Sequence, residues 1–385
     1  MENLSTIDIL ENLISFPTVS RDANIGLIEY VAKIIECEKV KPVIIKNNEN
    51  TKANLFASIG PENSEGIMLS GHTDVVPIDG QNWTKPPFEC TYENGLYFGR
   101  GTADMKGFVA SAINSFIQAK SVNLKKPLYL ALSYDEEVGC LGVRSLIDLV
   151  KELKFKPSMC IVGEPTLMSI ATGHKGKTAL RAECEGVEAH SALAPKGTNA
   201  IYLACDLINE IRNIQNEIVT DGIKDYDYDI PYTTLHVGKI SGGIVLNIVP
   251  NKSSVDFEIR NLAEDDPYKI LNELKSKISL LLKKINKKAP NANIKINITN
   301  QYPGLNTQIN AEIVSFVSSL TGKNNTIKVA FGTEGGLFDT ELDIPTVVCG
   351  PGSMDQGHKP DEYVSKKQLE MCDHMLENLI KKMSN

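Results

Sequence analysis

The chain has 385 residues, of which 42% are hydrophobic and 23% are charged. This composition is that of a globular protein, and the length predicts two domains rather than one. The formal net charge of −8 argues against nucleic acid or an anionic membrane as the main partner. No apolar run approaches the roughly 18–20 residues that span a bilayer.

The first residues predict a helix rather than a signal peptide. No basic segment precedes the apolar positions, whereas Ser5 and Asp8 have the spacing of a helix-capping pair. The eight cysteines are scattered without a CxxC pair, and several lie inside apolar runs, where cysteine behaves as a small buried hydrophobic residue. Both features lead us to expect a cytoplasmic protein with reduced thiols.

Between Asn54 and about Pro165, short apolar runs alternate with helical patterns. Nearly continuous apolar strands that are separated by helices indicate a mostly parallel sheet with helices on both faces. This α/β pattern returns from about Asn300, where helical and short apolar segments alternate up to a closing helix.

The central part of the chain has a different pattern. Strands with period-two alternation are interleaved with two long amphipathic stretches, 198–219 and 266–285. The order strand, helix, strand, strand, helix, strand is ferredoxin-like. We therefore predict an inserted ferredoxin-like α+β domain at 176–299, which interrupts an α/β catalytic domain made of residues 1–175 and 300–385.

Acidic residues and histidines follow the predicted strands of the α/β domain. In open α/β sheets, the carboxyl ends of the strands form the binding crevice, so we expect these side chains to converge at one edge. They are His72, Asp74, Asp104, Asp135, Glu136, Glu137, Glu164 and His358.

Each of these residues taken alone has a simpler interpretation. A single histidine after a strand is more often a structural residue, and an Asp-Glu pair is usually a helix cap. Considered together, however, they would bury several carboxylates, which costs free energy unless they are paired or bound to metal. Lys175 and Arg100 could neutralise only part of this charge. Histidine and carboxylate ligands suit zinc, cobalt or manganese, and two ions sharing one carboxylate can activate water and polarise a carbonyl. The remaining acids could then transfer protons and orient a ligand.

Five motifs resemble the series of the dinuclear-zinc aminoacylase and carboxypeptidase superfamily. They are "SGHTDVVP", "GRGTADMKG", "DEEVG", "GEPT" and "GPGSMDQGHKPDEY". Within the superfamily, the chain most resembles the acetylornithine deacetylases, through "HKGK", "AHSALAPKGTNAI" and "FGTEGG". The resemblance runs in order through nearly the whole chain.

The resemblance implies two divalent ions, expected to be Zn²⁺ with Co²⁺ able to replace it. Each ion has two terminal ligands, and one carboxylate bridges the ions. The implied ligands are His72 and Glu164 for one ion, Glu137 and His358 for the other, and Asp104 as the bridge.

The resemblance also implies roles around the metal ions. Glu136 would be the general base and acid, and Asp74 would orient His72 from behind. The peptide bond between Asp104 and Met105 would be cis.

In the inserted domain, the resemblance implies a homodimer interface and three residues that act on the substrate. His190 would stabilise the oxyanion in the partner's site, Arg260 would bind the substrate α-carboxylate, and Asn247 would bind near the reacting carbonyl. Without the resemblance, they would be a surface histidine, a strand terminus and a turn residue. We add the hypothesis that Glu334 meets the δ-ammonium group of ornithine.

The implied reaction is hydrolysis of N2-acetyl-L-ornithine, a small N-acyl amino acid, to L-ornithine and acetate in arginine biosynthesis. The alternatives are a succinyl-diaminopimelate desuccinylase, a broader N-acyl-amino-acid deacylase or dipeptidase, and a non-catalytic metal-binding homologue. A serine hydrolase is disfavoured because the sequence has no GxSxG motif.

Overall fold

The computed structural model describes residues 4–37, 40–287 and 291–385. The chain divides into two compact units. The first unit comprises Met1–Gly173, Leu305–Val329 and Thr333–Asn385. The second unit comprises His174–Gly304 and Ala330–Gly332.

Nine α-helices lie within the described ranges: α1 (Thr6–Ser15), α2 (Ile25–Cys37), α3 (Gly107–Ala119), α4 (Val143–Lys151), α5 (Ala200–Asp221), α6 (Pro267–Ile285), α7 (Glu312–Thr321), α8 (Gly335–Leu342) and α9 (Lys366–Ser384). Sixteen strands lie in the same ranges: β1 (Val43–Lys46), β2 (Ala53–Ile59), β3 (Gly66–His72), β4 (Thr91–Glu93), β5 (Leu96–Phe98), β6 (Leu128–Ser133), β7 (Pro157–Pro165), β8 (Ile170–His174), β9 (Lys177–Glu185), β10 (Thr234–Gly242), β11 (Lys252–Arg260), β12 (Asn293–Tyr302), β13 (Leu305–Asn306), β14 (Thr326–Val329), β15 (Thr346–Gly350) and β16 (Tyr363–Ser365).

The first unit is built on a mixed sheet in the order β1-β2-β6-β3-β7-β15-β8-β13, with β14 paired to β8. The four central strands β6, β3, β7 and β15 are parallel, and every residue of β3 and β6 is buried. Burial on both faces explains why these strands appear in the sequence as continuous apolar runs. The predicted α/β fold class is confirmed.

Some outer strands of this sheet are antiparallel, whereas the sequence pattern predicted a mostly parallel sheet. β1 pairs antiparallel with β2, β2 pairs antiparallel with β6, and β8 pairs antiparallel with β15. A buried strand has the same apolar run in either orientation, so the sequence pattern did not distinguish them.

Helix α1 begins with the predicted cap. The hydroxyl of Ser5 accepts from the backbone N–H of Asp8 at 3.2 Å, and the Asp8 carboxylate accepts from the N–H of Ser5 at 2.8 Å. This reciprocal pair satisfies two backbone donors that the first turn of a helix leaves open.

The second unit is an antiparallel sheet in the order β10-β11-β9-β12, with α5 and α6 packed on one face. Along β9, buried Leu180, Ala182 and Cys184 alternate with more exposed residues, as the period-two pattern predicts. The strand order and the two helices match the predicted ferredoxin-like arrangement.

A third, small sheet in the order β16-β5-β4 was not predicted. Its strands have three residues each, which is too short for a recognisable alternation. Within the described ranges, no helix is both long enough and apolar enough to cross a membrane.

Candidate metal centre

The acidic residues and histidines come together at one edge of the first unit's sheet. β3 ends at His72, β7 carries Glu164, and the turn after β6 carries Glu136 and Glu137. Because β3, β6 and β7 are parallel neighbours, their carboxyl ends share this edge.

Asp104 lies between two histidines. Its Oδ1 is 3.1 Å from His72 Nε2, and its Oδ2 is 3.1 Å from His358 Nε2. Each histidine also contacts a second carboxylate: His72 Nε2 is 3.5 Å from Glu164 Oε1, and His358 Nε2 is 3.0 Å from Glu137 Oε2. The arrangement is two histidine–carboxylate pairs that share one aspartate. The peptide bond after Asp104 is cis, as the resemblance implied.

These side chains fit a metal centre by their chemistry and spacing. Ligand atoms of His72, Glu136 and Glu164 lie within 4.8 Å of one another, as do those of His72, Asp104 and Glu137. Nitrogen and oxygen donors of this kind suit zinc and other divalent transition metals. The donor set therefore fits a divalent metal centre.

The carboxylates of this cluster are strongly perturbed. Burial raises the pKa of Glu137 to about 7, and repulsion from Asp104 adds to the shift. Burial also raises the pKa of Glu136 and Glu164 well above the usual range, and neighbouring carboxylates add to it against the attraction of His72. Buried negative charge is therefore concentrated here, which a divalent cation would stabilise.

The histidines show the complementary effect. Hydrogen bonds to Asp104 and Glu137 raise the pKa of His358 to about 10. Burial opposes the protonation of His72, but Glu164, Asp104 and Asp74 outweigh it and raise the pKa of that imidazole well above its usual range. The surrounding carboxylates thus stabilise a positive charge at both imidazoles, and a metal ion bound there would take the place of the proton.

Asp74 contacts other residues besides His72, the histidine that the resemblance implied it would orient. His72 Nδ1 is 2.9 Å from the backbone carbonyl of Asp74 and 3.6 Å from its Oδ1. The Asp74 carboxylate accepts the backbone N–H groups of Glu136 at 3.1 Å and Glu137 at 3.3 Å, and the hydroxyl of Ser20 at 2.6 Å. Asp74 therefore ties the end of β3 to the acidic turn after β6.

The three consecutive acids of that turn have three different environments. Lys52 Nζ lies 2.7 and 2.9 Å from the two carboxylate oxygens of Asp135. The thiol of Cys140 donates to Glu136 Oε1 at 3.4 Å, whereas Glu137 contacts His358. Adjacent acids are tolerated because their charges are directed to separate partners.

Sequence analysis gave no role to Ser20, Lys52 or Cys140. Ser20 and Lys52 lie 54 and 83 residues from the acids that they contact, so only the fold brings them to the site. Cys140 follows Glu136 by four residues, but its local sequence has no pattern that indicates the contact. The two cations considered as neutralising groups have other partners. Arg100 pairs with Glu362 at 2.6 Å, and Lys175 in the second unit donates to the carbonyls of Ile230 and Tyr232.

Three of the predicted substrate residues belong to the second unit. His190 Nδ1 accepts from the N–H of Ala192 at 3.1 Å, and the next residue, Ser191, donates its N–H to the carbonyl of Asn247 at 3.0 Å. Within this unit, His190 and Asn247 therefore lie on adjoining segments, and both are exposed. The guanidinium of Arg260 donates to Glu258 at 3.0 Å and to Tyr302 at 3.1 Å. The roles of His190, Asn247 and Arg260 stay predictions.

Glu334 precedes α8 in the first unit and is only 1% exposed. Burial raises its pKa to about 7, although the hydroxyl of Ser133 opposes the shift. Its predicted role in substrate binding also stays a prediction.

The sequence matches known proteins over most of its length. The sequence model of peptidase family M20/M25/M40 matches residues 68–382. The acetylornithine deacetylase of Shigella sonnei (strain Ss046) is 33% identical over 375 residues, covering 94% of this chain and 93% of the relative.

Solved structures have the same fold. An M20 family metallo-carboxypeptidase from Sulfolobus solfataricus superposes with a TM-score of 0.78 at 19% identity, over 98% of this chain and 99% of that one. A dinuclear metal-binding M20 peptidase from Bacillus subtilis superposes with a TM-score of 0.69 at 14% identity, over 97% and 96% of the two chains.

Proposed function

Because this chain belongs to peptidase family M20/M25/M40, we propose that it hydrolyses N2-acetyl-L-ornithine to L-ornithine and acetate. The chain is a metal-dependent amide hydrolase. The observation that carries the chemistry is the position of Asp104 between two histidine–carboxylate pairs. The proposed substrate rests on the 33% identity to an acetylornithine deacetylase. With that substrate, we propose a role in arginine biosynthesis in the cytoplasm.

Five side chains of the first unit would hold two divalent ions. The first pair is His72 with Glu164, the second is His358 with Glu137, and Asp104 serves both. When bound, two such ions, Zn²⁺ with Co²⁺ as a substitute, lower the pKa of a water molecule and polarise the substrate carbonyl.

Glu136 transfers the proton in this proposal. It accepts a proton from the attacking water and returns it to the nitrogen of the departing amine, so that the C–N bond breaks to a neutral leaving group. The carboxylate is buried beside the ligands, and the Cys140 thiol fixes one of its oxygens. The hydrogen bond from the Glu136 N–H to Asp74 fixes its backbone.

The second unit supplies the substrate contacts. The Arg260 guanidinium binds the α-carboxylate, a task suited to a bidentate planar cation, and Asn247 binds beside the reacting carbonyl. His190 acts on the oxyanion in the other subunit of a homodimer that forms through this unit. Glu334 of the first unit would meet the δ-ammonium group.

A substrate panel tests this function. Protein freed of metal and then restored with Zn²⁺ or Co²⁺ receives N-acetyl-L-ornithine, N-succinyl-diaminopimelate, N-acetyl-L-methionine and a dipeptide, and the released amine is quantified. We expect metal-dependent release that is fastest from N-acetyl-L-ornithine and nearly lost in Glu136→Gln.

The other outcomes separate the alternatives. Faster release from the succinyl, methionyl or dipeptide substrate would keep the amide hydrolase and replace ornithine as the substrate. Release that is unchanged by metal removal would contradict the proposed chemistry itself.

A further inference from the structure

A short segment after β3 holds the loop that carries His358. The amide nitrogen of Gln81 donates to the backbone carbonyl of His358 at 2.9 Å. Further along the segment, Asp361 accepts the N–H of Thr84 at 2.9 Å and its hydroxyl at 2.8 Å. We call residues 81–85 the clasp, because both ends of this segment bind the loop of His358.

The clasp is connected to a buried ion pair. Gln81 Oε1 accepts from Arg100 Nη2 at 2.6 Å and from the indole N–H of Trp83 at 3.0 Å. The Arg100 guanidinium also lies over the Trp83 ring, 4.9 Å from its centroid, and pairs with Glu362 at 2.6 Å. Arg100 and Glu362 are each 1% exposed.

Glu362 completes a path to the shared aspartate. Arg100 binds Oε2 of Glu362, and the other carboxylate oxygen, Oε1, accepts the backbone N–H groups of Ala103 at 2.9 Å and Asp104 at 3.0 Å. A continuous series of hydrogen bonds therefore runs from the carbonyl of His358, through Gln81, Arg100 and Glu362, to the N–H of Asp104.

We propose that Gln81, Arg100 and Glu362 are positioning residues, which fix the distance between His358 and Asp104. His358 lies on a loop at φ 62°, a left-handed conformation uncommon for a residue with a side chain, and its side chain is 45% exposed. Packing therefore restrains this histidine little, and the bond from Gln81 to its carbonyl supplies a direct restraint. Hydrogen bonds behind the ligands of a metal commonly set its affinity.

The charge of the network agrees with this role. Arg100 and Glu362 offset each other, so the network orders the Asp104 turn without adding net charge to a cluster already rich in carboxylates. The inference rests on the proposed metal centre, and it adds the residues that position two of its ligands.

The test measures metal affinity rather than turnover. Metal-free wild-type protein and Gln81→Leu are titrated with Zn²⁺ against a chromophoric chelator, and with Co²⁺ by absorption. Gln118→Leu is the matched control, because Gln118 is exposed on α3 and its amide nitrogen donates to Asn114 of the same helix. We expect Gln81→Leu to bind one of two ions about 10- to 100-fold more weakly, and Gln118→Leu to bind like the wild type.

Two further variants separate positioning from folding. Gln81→Glu keeps oxygens for Arg100 and Trp83 but loses the donor to His358, so we expect the same loss of affinity from a protein whose metal-free melting temperature is preserved. Trp83→Phe keeps a ring beneath Arg100 and leaves the His358 bond intact, so its affinity should stay close to that of the wild type.

The outcomes distinguish this inference from the proposed function. If wild-type protein takes up two ions and both Gln81 variants bind them equally well, the positioning role is wrong and the metal centre stands. A lower melting temperature with unchanged affinity would also overturn it. If the wild type binds no ion, the proposed metal centre fails and the inference fails with it.

Discussion

The two units of the molecule use acidic residues in opposite ways. On the sheet of the second unit, Asp256 pairs with Arg181 at 3.2 Å and Glu258 pairs with Arg260 at 3.0 Å. The side chains of Arg181 and Asp256 are 46% and 36% exposed, so water also solvates this pair. In the first unit, Asp104 and Glu164 are only 5% exposed at the side chain, and they face a histidine rather than an arginine.

The difference shows what marks a functional cluster. An exposed acid beside an arginine is a common surface feature that contributes little to stability. Burying acids costs free energy when they face one another and when their partners are imidazoles, which can lose their charge. A divalent cation offsets that cost. Burial and the type of partner therefore separate the two regions, whereas the number of acids does not.

The largest expected effect is on catalysis in the first unit. Glu136→Gln should lower kcat by about 10²- to 10⁴-fold, because the amide cannot accept the proton of water. The metal content should stay the same, because Asp104 and the two histidine–carboxylate pairs remain. Steady-state kinetics and elemental analysis of the same samples measure both quantities.

Glu183→Gln is the control for this change, since Glu183 is an exposed residue of β9. It should retain wild-type kcat. A Glu136→Gln variant with more than a tenth of the wild-type kcat would remove Glu136 from the proposed proton transfer.

The next effect is on the stability of the first unit. Arg100→Met leaves the buried carboxylate of Glu362 without its cation and should lower the free energy of unfolding by about 3–5 kcal/mol. Urea unfolding followed by the fluorescence of Trp83, the one tryptophan of the chain, reports this unit. A loss below about 1 kcal/mol would mean that the buried pair behaves like a surface pair.

A smaller, pH-dependent effect is expected in the second unit. Burial lowers the pKa of His174 to about 4, below the value of about 6.5 for an unfolded chain. The unfolded state then binds a proton that the folded state does not, so stability is lost as the pH falls from about 6.5 to 4. The slope from this group is at most about 1.4 kcal/mol per pH unit.

His174→Gln cannot titrate and should show a shallower loss of stability over this pH range. Urea unfolding at pH 7, 6, 5 and 4.5 compares the variant with the wild type. Parallel curves would show that His174 is not buried in its neutral form.

The smallest effect is expected for the matched surface pair. Arg181→Met should change the free energy of unfolding by less than about 1 kcal/mol, because both partners are solvated. The same urea assay as for Arg100→Met, read by far-ultraviolet circular dichroism, measures it. Equal losses for Arg100→Met and Arg181→Met would remove the contrast between the two regions.

The sequence predicted the fold class because the two units have different periodicities. Continuous apolar runs such as β3 and β6 indicate strands buried on both faces, and the alternation along β9 indicates a strand with one buried face. Strand direction at the edges of the first sheet was not predictable, because an apolar run has no orientation. The three-residue strands of the small sheet carry no pattern at all.

The convergence of the acids and histidines was predictable because they lie at strand ends or in the loops that follow, whereas the network behind them was not. Glu362 stands inside a motif that carries the resemblance, but nothing in its spacing indicates that it binds the N–H of Asp104. Gln81 and Ser20 act through contacts with residues 277 and 54 positions away. Contacts of that range depend on the tertiary fold.

The central claim is that the first unit holds two ions on either side of Asp104. The most direct measurement is a crystal structure of the zinc-loaded protein with anomalous differences recorded at the zinc edge. We predict two peaks beside the Asp104 carboxylate, one next to His72 and Glu164 and the other next to His358 and Glu137. A single peak, or peaks that do not adjoin Asp104, would contradict the account.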